Sequence, residues 1–584
     1  MSTGSAVKVR LRLRHFILPL ALLALLPYVN TITTGFTFDD EPDIRNNTAV
    51  TAGIDPLQIL ATPIFPGDLY RPFTVLTFAI NERFAPGAPA PFHAVNVVLH
   101  AAVTIFVFAT ARRVFKRTRV AVIAAALFAV HPVHTEAVTS IVGRAELLVA
   151  LFGLITLLSA ASADQPRPPL HAAALRALSL TSFFLALLSK ENAATILPLL
   201  MLFRIALRRD ALVSGLRREI RSLDWLPYAL CIAVFLLLRS HVIEKIGPTP
   251  LDNPLAFVPV IVRIRSALAV LWDYFGLLLV PLALAADYSY NQVAIANTWL
   301  APRFLGGLTL TLIALAVALR HRHAAVRFAA AFPFIALAAT SNLIFPIGTI
   351  KGERLLYLPS VGAVLLAAYL ADRGWRSPRY HTLTVTLLAC TIAAFAARTW
   401  SRNWDWEDNA TLYASMVRAA PNSAKARYNF GGALIRQGRY DAAMEQFGRA
   451  LDAAPWAEGA ALGMGIAYEK TGHPGPAVGW YRKALEITPE FSKAHNNLCR
   501  LLLTMGDFDA AVTACRRGLR HNPADTNLLE GLGASLVGSG DVEKGLAVMR
   551  RALALKGHDE RLQAAIAQME AAAHQNPTST GRLE

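Results

Sequence analysis

The chain has 584 residues, of which 54% are hydrophobic and 17% charged, and its mean hydropathy is +0.40. That balance lies outside the range of soluble globular chains and excludes an ordinary water-soluble enzyme. The formal net charge of +17 does not point to nucleic acid, because the bases stand between apolar runs and no aromatic-interleaved basic face accompanies them.

The first apolar run, His15 to Thr34, holds no acidic residue and is long enough to cross a hydrocarbon core of roughly 30 Å. Lys8, Arg10, Arg12 and Arg14 precede it, so residues 1–14 are expected as a basic cytoplasmic tail. No small-residue cleavage site follows, which makes the run a signal anchor. Phe38-Asp39-Asp40-Glu41 then surfaces just past the membrane. The loop that it opens, residues 35–92, is too long for a passive connector and is expected to be structured.

Basic clusters around Arg112 to Arg119, Arg208 to Arg221, Arg320 to Arg327 and Arg373 to Arg379 belong on the cytoplasmic side. Alternation between them predicts eleven crossings within residues 15–398, near 16–34, 93–111, 119–135, 146–162, 173–189, 192–207, 225–239, 303–320, 328–345, 355–371 and 382–397. The apolar piece Ile261 to Leu284 does not fit the alternation and is expected as a re-entrant or interfacial segment. An odd count puts the C-terminal part on the side of Asp39.

Four further polar stretches fall on that side: His131-Pro132-Val133-His134-Thr135-Glu136, Gly143-Arg144-Ala145-Glu146, Lys190-Glu191-Asn192 and Lys351-Gly352-Glu353-Arg354. Ionisable groups drawn from five loops onto one membrane edge point to a site. His131 and His134 beside Glu136 have the ligand chemistry for zinc or manganese. Pro132 spoils their helical pairing, however, and no cysteine supports a closed site, so hydrogen bonding is the expected role and metal dependence stays open.

Past Arg398 the chain turns polar and alanine-rich. Pro421, Pro455, Pro489 and Pro523 recur every 34 residues, as do Gly438, Gly472, Gly506 and Gly540. Small residues recur where paired helices approach (Gly431, Ala443 and Ala450, then Gly465, Ala477 and Ala484), with Phe447 and Tyr481 filling the gap. This is the period of tetratricopeptide repeats. Four units are expected over residues 424–557, after a linker and partial repeat at 399–423 and before a closing helix at 558–574 and a disordered tail at 575–584. In this register Cys499 aligns with Gly431 and Cys515 with Phe447, so the two cysteines face each other across a helix pair. Cα atoms within about 7 Å are expected, which suits either a disulfide or small apolar fillers.

The stretches Phe38-Asp39-Asp40, Arg71-Pro72-Phe73-Thr74-Val75-Leu76-Thr77-Phe78, Phe92-His93-Ala94-Val95-Asn96, Val130 to Val138, Gly143 to Leu148 and Glu353 to Ser360 resemble, in this order, the transmembrane and tetratricopeptide-repeat-containing proteins. That family is similar to the protein O-mannosyltransferases and to the GT-C glycosyltransferases. The resemblance implies an all-α, GT-C-type bundle of about eleven spans followed by an α-solenoid. It also implies transfer of a sugar, typically mannose, from a polyprenyl-phosphate-linked donor to a protein Ser or Thr hydroxyl.

On this reading Asp39 or Asp40 is the base, and Arg144, Arg354, Arg71 and Lys190 hold the donor phosphate. Substrate contacts are expected from Glu41, His93, His131, His134, Glu136, Glu146, Glu353 and Tyr357. Membrane lipid and an acceptor peptide carried by the repeats are the expected partners. Alanine- and arginine-rich usage suggests a bacterial inner-membrane protein with its repeats in the periplasm; a eukaryotic chain would face the endoplasmic reticulum lumen. A non-catalytic scaffold displaying the repeats and a lipid-sugar transporter are the competing readings.

Overall fold

The computed structural model describes residues 15–64, 69–243 and 247–575. The expected basic tail at 1–14 lies outside them, as does all but the first residue of the tail at 575–584. Every element longer than an isolated bridge is helical among the described residues. Backbone contacts divide the chain into Met1–Ala420 and Pro421–Glu584.

The first unit contains α1 (His15–Thr33), α2 (Pro72–Phe84), α3 (Pro89–Phe115), α4 (Thr118–Val130), α5 (Arg144–Ala163), α6 (Pro169–Ser189), α7 (Ile196–Arg208) and α8 (Leu212–Ser222). It continues with α9 (Leu226–Val242), α10 (Val260–Leu279), α11 (Pro302–Arg320), α12 (Ala324–Leu337), α13 (Ser360–Arg376), α14 (His381–Asn403) and α15 (Asn409–Ala419). Six of these (α1, α3, α5, α6, α11 and α14) are long and apolar enough to cross a membrane, and two bent pairs raise the number to eight.

The other three crossings read from loop charge fall on α7, α12 and α13, of 13, 14 and 17 residues. At about 1.5 Å per residue each is shorter than the hydrocarbon core. Loop charge reports sidedness but not helix length, so the count of eleven is not reached on length. The piece expected to be re-entrant or interfacial is unbroken helix through most of its length, as α10, which does not suit a re-entrant loop and leaves the interfacial reading. Gly307 of α11 lets the two helices touch, since a Cβ there would stand 1.8 Å from the Leu268 carbonyl oxygen.

The described residues of the stretch 35–92 form a small layer of their own. Asn47 and Asp55 cap the short helices Thr48–Thr51 and Pro56–Ala61 by accepting backbone N–H bonds. Ile44, Val50, Ile59, Val75, Phe78 and Phe92 bury one another beneath them. α14 runs on to Asn403, past residue 398, and α15, read as half a repeat, is grouped by backbone contacts with the first unit.

The second unit pairs α16 (Ala424–Arg436) with α17 (Tyr440–Ala453), α18 (Glu458–Lys470) with α19 (Pro474–Ile487), α20 (Ser492–Thr504) with α21 (Phe508–His521) and α22 (Thr526–Gly538) with α23 (Val542–Lys556), and closes on α24 (Glu560–Gln575). Gly438, Gly472, Gly506 and Gly540 all take positive φ in the turns within the pairs, which is why glycine recurs there.

One contact repeats across the array. A Cβ on Gly431 would meet the Phe447 ring at 2.6 Å, one on Gly465 the Tyr481 ring at 2.4 Å, and one on Gly533 the Met549 side chain at 2.3 Å. In the third pair that place is taken by a disulfide between Cys499 and Cys515, with Cα atoms 5.3 Å apart. A covalent link thus stands where its neighbours use a large side chain seated on glycine. Cys499→Ser with Cys515→Ser is expected to cost the unit about 2–4 kcal/mol in denaturant unfolding, because the closed loop no longer restricts the unfolded chain. Equal midpoints under oxidising conditions would show that the bridge does not form.

Candidate active site

The acidic stretch follows α1 directly. Phe38 adopts φ +52°, and its N–H donates to Asn409 Oδ1 at 2.8 Å, turning the chain sharply just past α1. The two aspartates then separate in role. Asp40 is fully buried, and its Oδ2 and Oδ1 accept the N–H groups of Thr37 (3.0 Å) and Val142 (2.9 Å). Burial, with a smaller push from Asp39, raises its pKa to about 7. Asp39 stays 35% exposed and accepts from Arg354 Nη1 at 3.1 Å.

Arg354 is the hub. Its Nε lies 3.4 Å from Glu136 Oε1, and its backbone N–H donates to Glu136 Oε2 at 2.8 Å. Burial opposes its charge, but Glu136 and Asp39 outweigh burial and hold its pKa above the usual guanidinium value. Beside it Arg71 forms a two-pronged pair with Glu191 (3.0 and 3.3 Å), and Lys190 Nζ donates to Glu146 at 2.5 Å. Burial alone would raise Glu191; Arg71 instead brings it down to about 2. Asp43 feels the charges of Asp39, Arg71 and Arg354, and burial followed by Asp39 lifts its pKa to about 7. Cations and carboxylates from five stretches therefore share one electrostatic neighbourhood, as the loop analysis expects.

Other expected members lie elsewhere. Arg144 is fully buried. Its Nε donates to Asn96 Oδ1 (2.8 Å), Nη1 to Asn81 Oδ1 (2.7 Å) and the Thr77 carbonyl (3.1 Å), and Nη2 to the Phe92 carbonyl (3.0 Å). The Phe78 ring lies 4.8 Å from its guanidinium carbon. With its fork spent on the protein it has none to offer a phosphate. It holds Asn96, whose amide donates to the carbonyls of Val138, Ser140 and Ile141, and that turn presents the Val142 N–H to Asp40. Gly143 is needed there because a Cβ would stand 2.3 Å from the Ala137 carbonyl oxygen.

The expected substrate contacts are similarly redistributed. His93 is buried against Thr34 Oγ1 at 3.1 Å, and His131 meets the Leu278 carbonyl at 3.0 Å. His134 pairs with Ser360 Oγ (2.8 Å), and Tyr357 with His100 Nδ1 (2.8 Å), within one aromatic packet. Glu41 closes a local pair with Arg45. Glu353 is buried, and its Oε1 accepts from the Ala285 N–H and the Tyr288 hydroxyl, both at 2.6 Å. Loop charge grouped these polar groups, and the packed structure gives each of them a partner within the protein. No group of three or more His, Cys, Asp or Glu side chains suited to a metal occurs among the described residues.

Sequence reasoning missed three features. Asp43, one turn beyond Asp39, has the i, i+4 spacing that brings it to the cluster. Arg402 lies buried near Glu353 with its Nε and Nη2 lacking hydrogen-bond partners. Next to Glu353, a cavity of about 330 Å³ is lined by Trp272, Asp273, Tyr288, Gln292, Arg303 and Lys351. Its residues come from α10, the α10–α11 loop, the first turn of α11 and the segment before Glu353, and no local motif joins them.

Asp40→Asn is expected to destabilise the first unit by about 1–3 kcal/mol, since an amide nitrogen would face one of two backbone donors. Thermal melting in detergent reads this. A variant as stable as wild type would return Asp40 to the list of exposed bases.

Fold and cluster together define a multi-pass helical membrane protein with a charged cluster in its first unit and a repeat solenoid as its second. The tetratricopeptide repeat family matches residues 402–458, 428–490 and 502–569. The chain is 30% identical over 505 residues to human protein O-mannosyl-transferase TMTC3, covering 79% of this chain and 54% of that one. It is also 30% identical over 487 residues to human TMTC4, covering 73% and 64%, and over 455 residues to F38B6.6 of Caenorhabditis elegans, covering 75% and 63%. Over most of its length the chain is thus similar in sequence to proteins named protein O-mannosyl-transferases, and it spans about half the length of the human TMTC3 relative. Among solved structures, a MamA chain from Desulfovibrio magneticus RS-1 has 22% identity and a TM-score of 0.25, covering 27% of this chain and 88% of that one.

Proposed function

We propose that the chain is a membrane glycosyltransferase that moves a sugar, mannose in the first instance, from a polyprenyl-phosphate donor to a Ser or Thr hydroxyl of a protein presented by the repeats. The observation that carries this reading is the partly exposed Asp39 carboxylate paired with Arg354 within a cluster of cations at the membrane edge. Relatives named protein O-mannosyl-transferases support it.

In the reaction the acceptor oxygen bonds the anomeric carbon while its proton passes to Asp39. The bond from that carbon to the phosphate oxygen breaks, and its electron pair leaves on the lipid phosphate. Arg354 holds that charge, assisted by Arg71 and Lys190. In the structure Arg354 is spent on Asp39 and Glu136. An arriving phosphate competes for the guanidinium and frees Asp39 to act, so donor binding switches on the base.

The test is purified full-length protein supplied with radiolabelled polyprenyl-phosphate-mannose and a periplasmic extract. Labelled protein is expected. Donor binding without transfer to any acceptor would overturn the reading. Placement of the cluster and repeats on the external side is supported by the Cys499–Cys515 disulfide, which persists in an oxidising compartment. A reporter fused after Trp406 is therefore expected to read as external and one fused after Arg376 as cytoplasmic. Reversed signals would put the site on the wrong side of the membrane for this donor.

A further inference from the structure

Helix α8 stands at the other end of α7 from Lys190, and it breaks from α9 at 72°. Two anchors on one side set its roll. Gly215 presses on Ile205, where a Cβ would come within 2.9 Å of the side chain. The Glu219 carboxylate is buried and held by Arg208 and, at 3.6 Å, by Arg204. Neither contact survives a rotation of the helix about its own axis.

With about 100° between successive residues, that anchored side leaves two outward sectors. Val213, Leu216 and Ile220 make one, at 55%, 42% and 50% exposure, and Leu223 extends it beyond the last turn. Arg217, Arg218 and Arg221 make the adjoining one, bordering an open hollow of about 740 Å³ together with Ser214 and Ser222. Arg218 has Asp210 at 3.8 Å, whereas Arg217 and Arg221 meet no carboxylate within ion-pair distance among the described residues. Water suits the basic sector but not the apolar one. A bilayer surface suits both, because a stripe sunk among acyl chains leaves the guanidiniums at the level of the phosphates.

We propose that α8 is an interfacial helix whose Arg217, Arg218 and Arg221 form a binding site for the headgroup phosphate of an anionic phospholipid. The apolar sector continues into the lipid-facing surface of α9, where Leu230, Leu236 and Leu237 are exposed. Charge complementarity selects an anionic lipid over a zwitterionic one, whose own cation repels the three arginines.

Full-length protein in detergent, given equal amounts of short-chain phosphatidylglycerol and phosphatidylcholine, tests this by native mass spectrometry. Wild type is expected to retain phosphatidylglycerol preferentially and to lose that preference as salt rises. Replacing the three arginines by Gln should lower the preference at least about tenfold, while replacing them by Lys should keep most of it. If the triple Gln variant does not fold, Arg217→Gln with Arg221→Gln, which breaks no ion pair in the structure, carries the comparison. Equal retention of the two lipids by wild type, or an unchanged preference in the Gln variants, would overturn the proposal.

Discussion

Asp39→Asn is expected to leave the protein folded and to lower transfer by about 10²-fold or more, the usual cost of a lost general base. In the proposed reaction Asp39 is the aspartate chosen as base because its carboxylate is partly open and pairs with Arg354, whereas both oxygens of Asp40 are occupied by backbone donors. Arg354→Ala is expected to raise the donor concentration needed for half-maximal rate more than the acceptor concentration. Arg354→Lys should recover part of the loss, since it restores charge without the fork. The measurement is single-turnover transfer with each substrate varied in turn. Undiminished transfer by Asp39→Asn would remove the assignment of the base.

Arg144→Ala is expected to have the largest effect on stability, about 3–5 kcal/mol. It removes a buried cation and leaves the Asn81 and Asn96 side-chain oxygens and two backbone carbonyls unpaired. Lys cannot substitute, because a single ammonium does not span acceptors arranged around a planar guanidinium. Loss of yield and a lowered melting temperature, with donor dependence unchanged per folded molecule, is the expected pattern. A stable Arg144→Ala protein with weakened donor use would make Arg144 a phosphate ligand after all. Its structural role reaches the site indirectly, through Asn96 and the 138–142 turn to Asp40, which makes Arg144 a positioning residue.

The repeats were legible because their information is local and periodic. Each Gly at positive φ, each Pro, and each small residue opposite a large one recurs every 34 residues, since every unit buries its face against the next in the same way. The same register placed Cys499 opposite Cys515 and left open whether they are bridged. In the membrane unit, composition by itself determined the class, and loop charge grouped the stretches that carry Asp39, Glu136, Glu146, Lys190 and Arg354.

Tertiary structure alone decided what each polar residue does there. Asp39 and Asp40 are chemically identical neighbours, yet the Val142 N–H, 102 positions away in sequence, makes one structural and leaves the other open. Arg144 and Arg354 sit in equally family-like motifs, but one is sealed by Asn81, Asn96 and Phe78 while the other faces Asp39. Buried polar groups must find partners wherever the helices bring them. Those partners come from segments tens to hundreds of residues apart, so which polar groups are sealed and which stay open is a property of the packed bundle.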